Sequence, residues 1–242
     1  MLTPRVPVTH HALKQIQRMI LSGTWREGER LPSQRELAEQ LRVSRASLRE
    51  ALSALESLGF LKIAPGRGVF VMSEEERRAT SGPERKIAGR YSLLDVFQVR
   101  YVLESLAVSL VAALITDDEL SELGRIVKAM KGAAENRDLV SLSEMDLSFH
   151  SLIFRLCRNA MLQEMAERVR RERDESSHRA FADRSLMFPP VEEHERIIDA
   201  LATRDPLKAR AAMEWHVRQA AARAGIDLQP VAKLLAGAAA AA

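Results

Sequence analysis

Asp146, His150, His194 and His216 are the residues whose types and spacing could do chemistry in this chain. Asp146 and His150 stand four apart, which puts them on one face of any helix that carries them. His194 and His216 each lie eleven residues from Asp205. The stretch Thr203-Arg204-Asp205-Pro206 reads as a helix stop followed by a fresh start. Folding back there as an αα-hairpin brings the two histidines to the same height. One carboxylate and three imidazoles then converge on one point. These are metal-ligand types, and the mixed N/O donor set suits a divalent Zn, Ni or Mn ion. Up to two positions would stay open on an octahedral ion, or one on a five-coordinate ion, for a small carboxylate ligand. His10, His11 and His178 fall outside the set and read as surface or packing residues.

The elements that must position this group are helices. From Ser92 onward the pattern is persistently helical, with helices expected over 93–115, 117–135, 138–157, 160–180, 190–203 and 206–224, and no strand signal. Asp117 reads as a cap with Glu119 and Glu122 in the first turn, and Pro206 marks another start. The segment is expected to form an antiparallel helical bundle with its own core. Cys157, the single cysteine, sits among Leu152, Ile153 and Leu156 and reads as a buried thiol, which excludes an intrachain disulfide framework.

The N-terminal segment follows a different plan. A helix is expected over 10–22, with Leu13, Ile16, Met19 and Ile20 on one side and Gly23 as its stop. Ser33-Gln34-Arg35-Glu36 is a capping box opening a helix through Leu41. Ser44 caps a second helix over 45–58, ended by Gly59, and about three residues separate the two, the usual helix-turn-helix connection. Phe60 to Ile63 and Val69 to Val71 then read as strands around a Pro65-Gly66-Arg67-Gly68 turn, the wing of a winged helix-turn-helix. Charge is divided accordingly. Residues 1–72 carry 11 Lys+Arg against 6 Asp+Glu, and the remainder carries 25 against 27. A basic head on a mildly acidic body fits nucleic-acid binding. Arg45 and Arg49, one turn apart at the start of the second helix, are placed to read guanine or phosphate in a major groove. Arg35 can reach the same groove, Ser44 and Ser47 are phosphate candidates, and Gly66 with Arg67 would let the wing tip approach a minor groove.

Gly28 to Ala38 (Gly-Glu-Arg-Leu-Pro-Ser-Gln-Arg-Glu-Leu-Ala), Val43 to Leu52, Leu55 to Leu61 and Gly66 to Val71 together resemble the GntR family of bacterial transcription regulators. That resemblance implies that Arg35, Arg45, Arg49 and Gly66 contact operator DNA, usually as a homodimer on a short palindrome. Gln34 departs from the usual Glu of the pattern. The helical remainder resembles the FCD ligand-binding domain of the FadR subfamily, through Val99 to Glu104, Asp146 to His150 with Asn159, and Glu193 to Ala200 continuing to His216. Many FCD domains hold a divalent metal through one Asp and three His, and all four positions are filled. The resemblance also places Arg100 against the cavity, where its guanidinium could take an effector carboxylate. The alternative for Arg100 is a surface ion pair with Glu104. Asn159 reads equally as an effector contact or as a helix cap.

These readings describe a mainly α protein: a winged helix-turn-helix over 1–72, a linker over 73–89 with one short helix, a helical metal- and effector-binding domain over 90–228 and an Ala-rich tail over 229–242. The expected function is a DNA-binding regulator, a repressor, whose operator affinity responds to a small organic acid at the metal. Two alternatives stay open. A metal-dependent hydrolase would use Glu193 or Glu195 as general base, although no His-Glu-x-x-His motif is present. A metal sensor would take the ion itself as its signal. A content of 46% hydrophobic and 29% charged residues fits a soluble globular protein. No apolar run is expected to span a membrane, no signal-peptide pattern opens the chain, and the cytoplasm is the expected compartment.

Overall fold

The computed structural model describes residues 8–79, 86–87, 90–180 and 187–228. Most of the expected linker's second half and the Ala-rich tail lie outside these residues. The chain divides into two compact units, 1–80 and 81–242.

In the first unit, α1 (Val8–Leu21), α2 (Gln34–Leu41) and α3 (Arg45–Ser57) pack about a core of Leu13, Ile16, Leu37, Leu48, Leu52, Leu55 and Phe60. Each start is fixed locally. The Ser33 and Glu36 side chains and amides exchange bonds of 3.3 and 2.9 Å, and Ser44 Oγ accepts the Ser47 amide at 3.0 Å. α2 ends on Arg42 in the left-handed region (φ 54°). β1 (Leu61–Ala64) and β2 (Gly68–Val71) pair antiparallel, Leu61 opposite Val71 and Ala64 opposite Gly68. The Arg67 amide bonds to the Ala64 carbonyl at 3.0 Å, with Pro65 and a positive-φ Gly66 (71°) between them. That is the signature of a type II turn, which needs glycine at its third position.

Two contacts here leave no sequence signal. The Glu29–Leu31 segment lies along β2, with the Leu31 amide on Val69 O at 2.8 Å and the Val71 amide on Glu29 O at 2.9 Å. α4 (Glu74–Ala79), inside the expected linker, belongs to this unit: Arg77 Nη1 donates to Met72 O at 2.7 Å and Nη2 to Glu27 at 3.1 Å.

The second unit begins with a small hairpin, β3 (Lys86–Ile87) and β4 (Tyr91–Ser92), whose two-residue strands are too short to leave a pattern. Among the described residues seven helices follow: α5 (Leu93–Leu114), α6 (Asp117–Glu135), α7 (Leu139–Leu156), α8 (Ala160–Arg168), α9 (Arg170–Ala180), α10 (Phe188–Ala202) and α11 (Pro206–Arg223). α6 packs on α7 and α10 on α11, each across a three-residue connection, so each pair runs antiparallel. α5 lies against α11, α7 and α9. The expected single helix over 160–180 is two helices. The break falls at Val169 (φ −103°, ψ 8°), with neither Gly nor Pro to mark it. The α6 cap is Thr116, one residue before the expected Asp117, because its hydroxyl and Glu119 form the capping box.

α5 is apolar and long enough by composition to cross a membrane, closer to that limit than the sequence reading expected. Its window is mostly buried inside the bundle, and it carries the buried Arg100–Glu104 pair, so it is a core helix. Its C-terminal end is closed by two arginines in left-handed conformation. Arg158 donates to Leu114 O at 2.9 Å and Arg204 to Ile115 O at 3.0 Å, satisfying carbonyls that a helix end leaves bare.

Candidate functional site

The bundle gathers the four residues singled out by spacing. Asp146 and His150 come from α7, His194 from α10 and His216 from α11, and one ligand atom from each lies within 4.8 Å of all the others. All four are buried. Asp146 Oδ1 is 3.4 Å from His194 Nε2 and 3.7 Å from His150 Nε2, and the Nε2 atoms of His150 and His216 are 3.1 Å apart. Phe149 sets its ring edge-on to His194 at 4.6 Å and fixes that side of the group.

The far nitrogens decide which atoms face inward. His194 Nδ1 is 2.7 Å from Pro190 O, and a carbonyl only accepts, so Nδ1 carries the proton and Nε2 presents a lone pair. His216 Nδ1 donates in the same way to Glu193 Oε2 at 2.9 Å. Glu193 is itself gripped by both Arg223 guanidinium nitrogens, one at 2.9 Å. His150 Nδ1 lies 3.1 Å from Glu104 Oε2, close in distance though off line for a hydrogen bond. Glu104 receives Arg100 Nε at 2.8 Å, and Arg100 Nη1 donates to Ser176 at 3.1 Å.

Charge follows from this geometry. Burial opposes ionisation of Glu104 and Asp146, but Arg100 and His150 for the first, and the histidines for the second, hold both carboxyls well below the usual range. Burial works against a charged His150 too, yet Glu104 and Asp146 outweigh it and push this imidazole up to about 9. Burial and then the neighbouring His216 drive His194 down to about 3, and burial also lowers His216. The neutral His194 Nε2 is a buried atom with no hydrogen-bond partner among the described residues. A buried bare donor atom beside an ionised carboxylate, with each imidazole oriented from behind by a carbonyl or carboxylate, fits a divalent cation.

The remaining predicted site residues divide between the two units. In the first, Arg35, Ser44, Arg45, Arg49, Gly66 and Arg67 are exposed and Ser47 is half-buried. Arg35, Arg45, Arg49 and Arg67 make no ion pair among the described residues, and nothing lies within 4 Å of a side chain added at Gly66. In the second unit, Arg100 and Glu104 do pair, but inside the bundle rather than on its surface. Asn159 is exposed and its Oδ1 accepts the Leu162 amide at 3.0 Å, capping α8. Sequence reasoning missed Arg223 and the supporting place of Glu104. It noticed Glu193 only as a candidate base. No spacing within one helix could have found the contacts of Glu193 with His216 and Arg223, because both join α10 to α11.

Residues 95–219 match the model of the FCD domain, and residues 9–71 match that of the bacterial regulatory proteins of the gntR family. The chain belongs to the GntR family of transcription regulators, with an FCD domain. It is 26% identical over 206 residues to the Exu regulon transcriptional regulator of Escherichia coli K12, covering 84% of this chain and 78% of that protein. It is 29% identical over 222 residues to the Glc operon transcriptional activator of the same strain, covering 88% and 87%. The solved structure of E. coli McbR/YncC aligns over 90% of this chain and 97% of that one, with a TM-score of 0.50 at 23% identity, a likeness of fold. GntR regulators bind DNA, and this one is therefore a regulator and not a hydrolase. FCD domains often bind metals, in keeping with the buried Asp and three His of this chain.

Proposed function

We propose that this GntR regulator is a cytoplasmic homodimer that represses transcription from a palindromic operator and releases it when a small organic acid binds at a divalent ion. Asp146, His150, His194 and His216 hold the ion, which can be Zn, Ni or Mn. When bound it supplies a fixed positive charge with coordination positions open to a carboxylate. The single observation that carries the reading is the buried, unpartnered His194 Nε2 facing the ionised Asp146. Arg45 and Arg49 read bases, Arg35, Ser44 and Ser47 hold phosphates, and Gly66 with Arg67 forms the wing contact. Arg100, held by Glu104, sits one residue behind His150, where a change at the ion reaches α5.

The test is operator binding by zinc-loaded protein, using a site selected from random duplexes, with and without a panel of small mono- and dicarboxylates. Release of DNA by one acid, lost in His194→Ala, is the expected result. Indifference to every acid would sink the effector reading, and a response to zinc alone would make the ion the signal. A second reading reverses the sign of regulation. It is favoured by the likeness to a protein named as an activator, and transcription that rises with operator occupancy would establish it.

A further inference from the structure

The charged residues of α5 are Asp95, Arg100 and Glu104, and the last two pair inside the bundle. From Val99 onward its outward side carries no charge. The exposed or half-buried positions there include Val99, Val102, Leu106, Ser109, Ala113 and Leu114, all apolar or small. α6 shows how a solvated face of this bundle is built: its exposed positions include Asp118, Arg125, Lys128 and Lys131. A helix that is apolar on every side is a buried helix. In the single chain part of α5 stays uncovered, with Val99, Val102, Leu106 and Leu114 between 43% and 55% exposed.

The spacing of these residues fits another helix. Positions 99, 102, 106, 109 and 113 alternate three and four apart, the seam along which one helix receives a second. Ser109 and Ala113 keep the later half of the seam low, which lets a partner helix come close. The six residues leave on the order of 350 Å² of apolar surface in water, in the range where the largest patch on a monomer is often functional. One side of a standard interface covers about 800 Å², a little over half of it apolar. α5 thus supplies most of that apolar part. α8, which packs on α5, adds Met161 and Met165, exposed and one turn apart. Enriched methionine and depleted charge mark the core of such interfaces.

GntR regulators are generally dimers, and a second α5 brings the same uncovered seam. We infer that the outward face of α5 is where two copies of this chain meet, the two α5 helices packing about a two-fold axis. The same patch then serves both copies, and each of its residues enters the contact twice. The inference rests on the homodimer of the proposed function and assigns the surface that forms it.

The test is sedimentation equilibrium of the full-length protein over a concentration series. The wild type should be a dimer. Leu106→Arg and Val102→Glu should each weaken dimerisation by about a hundredfold or more, because an unpaired charge enters from both sides at once. Both positions are about half exposed in the single chain, so unchanged circular dichroism and zinc affinity will show that the variants fold. Proximity is read separately. A short bis-maleimide should join Leu106→Cys into covalent dimers faster than Ser121→Cys on the exposed side of α6, while the native Cys157 is buried. Wild-type dimerisation by both variants, or crosslinking no faster at position 106 than at 121, overturns the α5 contact and leaves the homodimer on another surface. A wild type that stays monomeric at every concentration overturns both. If that monomer floats with phosphatidylcholine vesicles, the face serves a lipid surface instead.

Discussion

The two units solve opposite electrostatic problems. The head leaves Arg35, Arg45, Arg49 and Arg67 in water, without an ion pair among the described residues, so each is available to an external polyanion. The bundle buries its charges and gives almost every one an internal partner: Arg100 with Glu104, Glu104 with His150, Arg223 with Glu193, Glu193 with His216. A solvated arginine costs little to leave unpaired, whereas a buried one left unpaired costs several kcal/mol. The head can therefore tolerate change in its functional residues and still fold. In the bundle, the proposed metal site and the stability of the fold rest on the same side chains.

The largest expected effect breaks that coupling from within. Glu104→Ala strips Arg100 of its buried partner and removes the carboxylate behind His150, and should destabilise the bundle by about 3–5 kcal/mol. Chemical denaturation followed by circular dichroism reads this directly. A loss below about 1 kcal/mol would mean that Arg100 finds another partner without cost. Metal loading comes next. Zinc at a hundredfold excess over its dissociation constant should stabilise the bundle by about 2.7 kcal/mol, and a chelator should reverse it. The gain should vanish in His194→Ala, and Glu193→Gln should weaken zinc binding by about 10–100-fold through the loss of support behind His216. A melt that ignores zinc would leave the four residues as a structural cluster.

How far the sequence carries each unit follows from the same contrast. The head is built from local signals. The Ser33–Glu36 box, the Ser44 cap and the Pro65–Gly66 turn each act within four residues, and all are legible. The Glu29–Leu31 contact with β2 escaped because it joins segments about forty residues apart. In the bundle, the i,i+4 pair and the Asp205 hairpin brought all four candidate ligands together because helix periodicity is itself local. What lies behind them was not legible. The Glu193–His216 contact spans 23 residues and the Glu193–Arg223 contact 30, across helices whose facing sides no pattern declares. The break at Val169 carries no glycine or proline, so one continuous helix was the natural reading.

On the head, effects should be smaller in stability and visible mainly in DNA binding. Arg49→Ala should leave the melting curve nearly unchanged and cost about 1–3 kcal/mol of operator discrimination. Arg35→Ala, if it contacts phosphate, should weaken all duplexes alike and reduce the salt dependence by about one unit of slope. A variant that unfolds the head instead would contradict its independence from these arginines.

Ser44 is the one head residue where the two regimes meet. Its Oγ accepts the Ser47 amide at 3.0 Å and lies 2.9 Å from Ser47 Oγ, so the hydroxyl already caps α3 before any DNA arrives. Ser44→Ala should cost about 1 kcal/mol of stability through the lost cap, a readout that cannot by itself separate capping from phosphate contact. Ser44→Asp can. An aspartate caps a helix as well as serine does and interacts favourably with the positive N-terminal end of α3, so stability should be kept. The same carboxylate would repel a phosphate. DNA binding by Ser44→Asp should therefore fall on every sequence while its melting curve matches the wild type, and undiminished binding would reduce Ser44 to a cap alone.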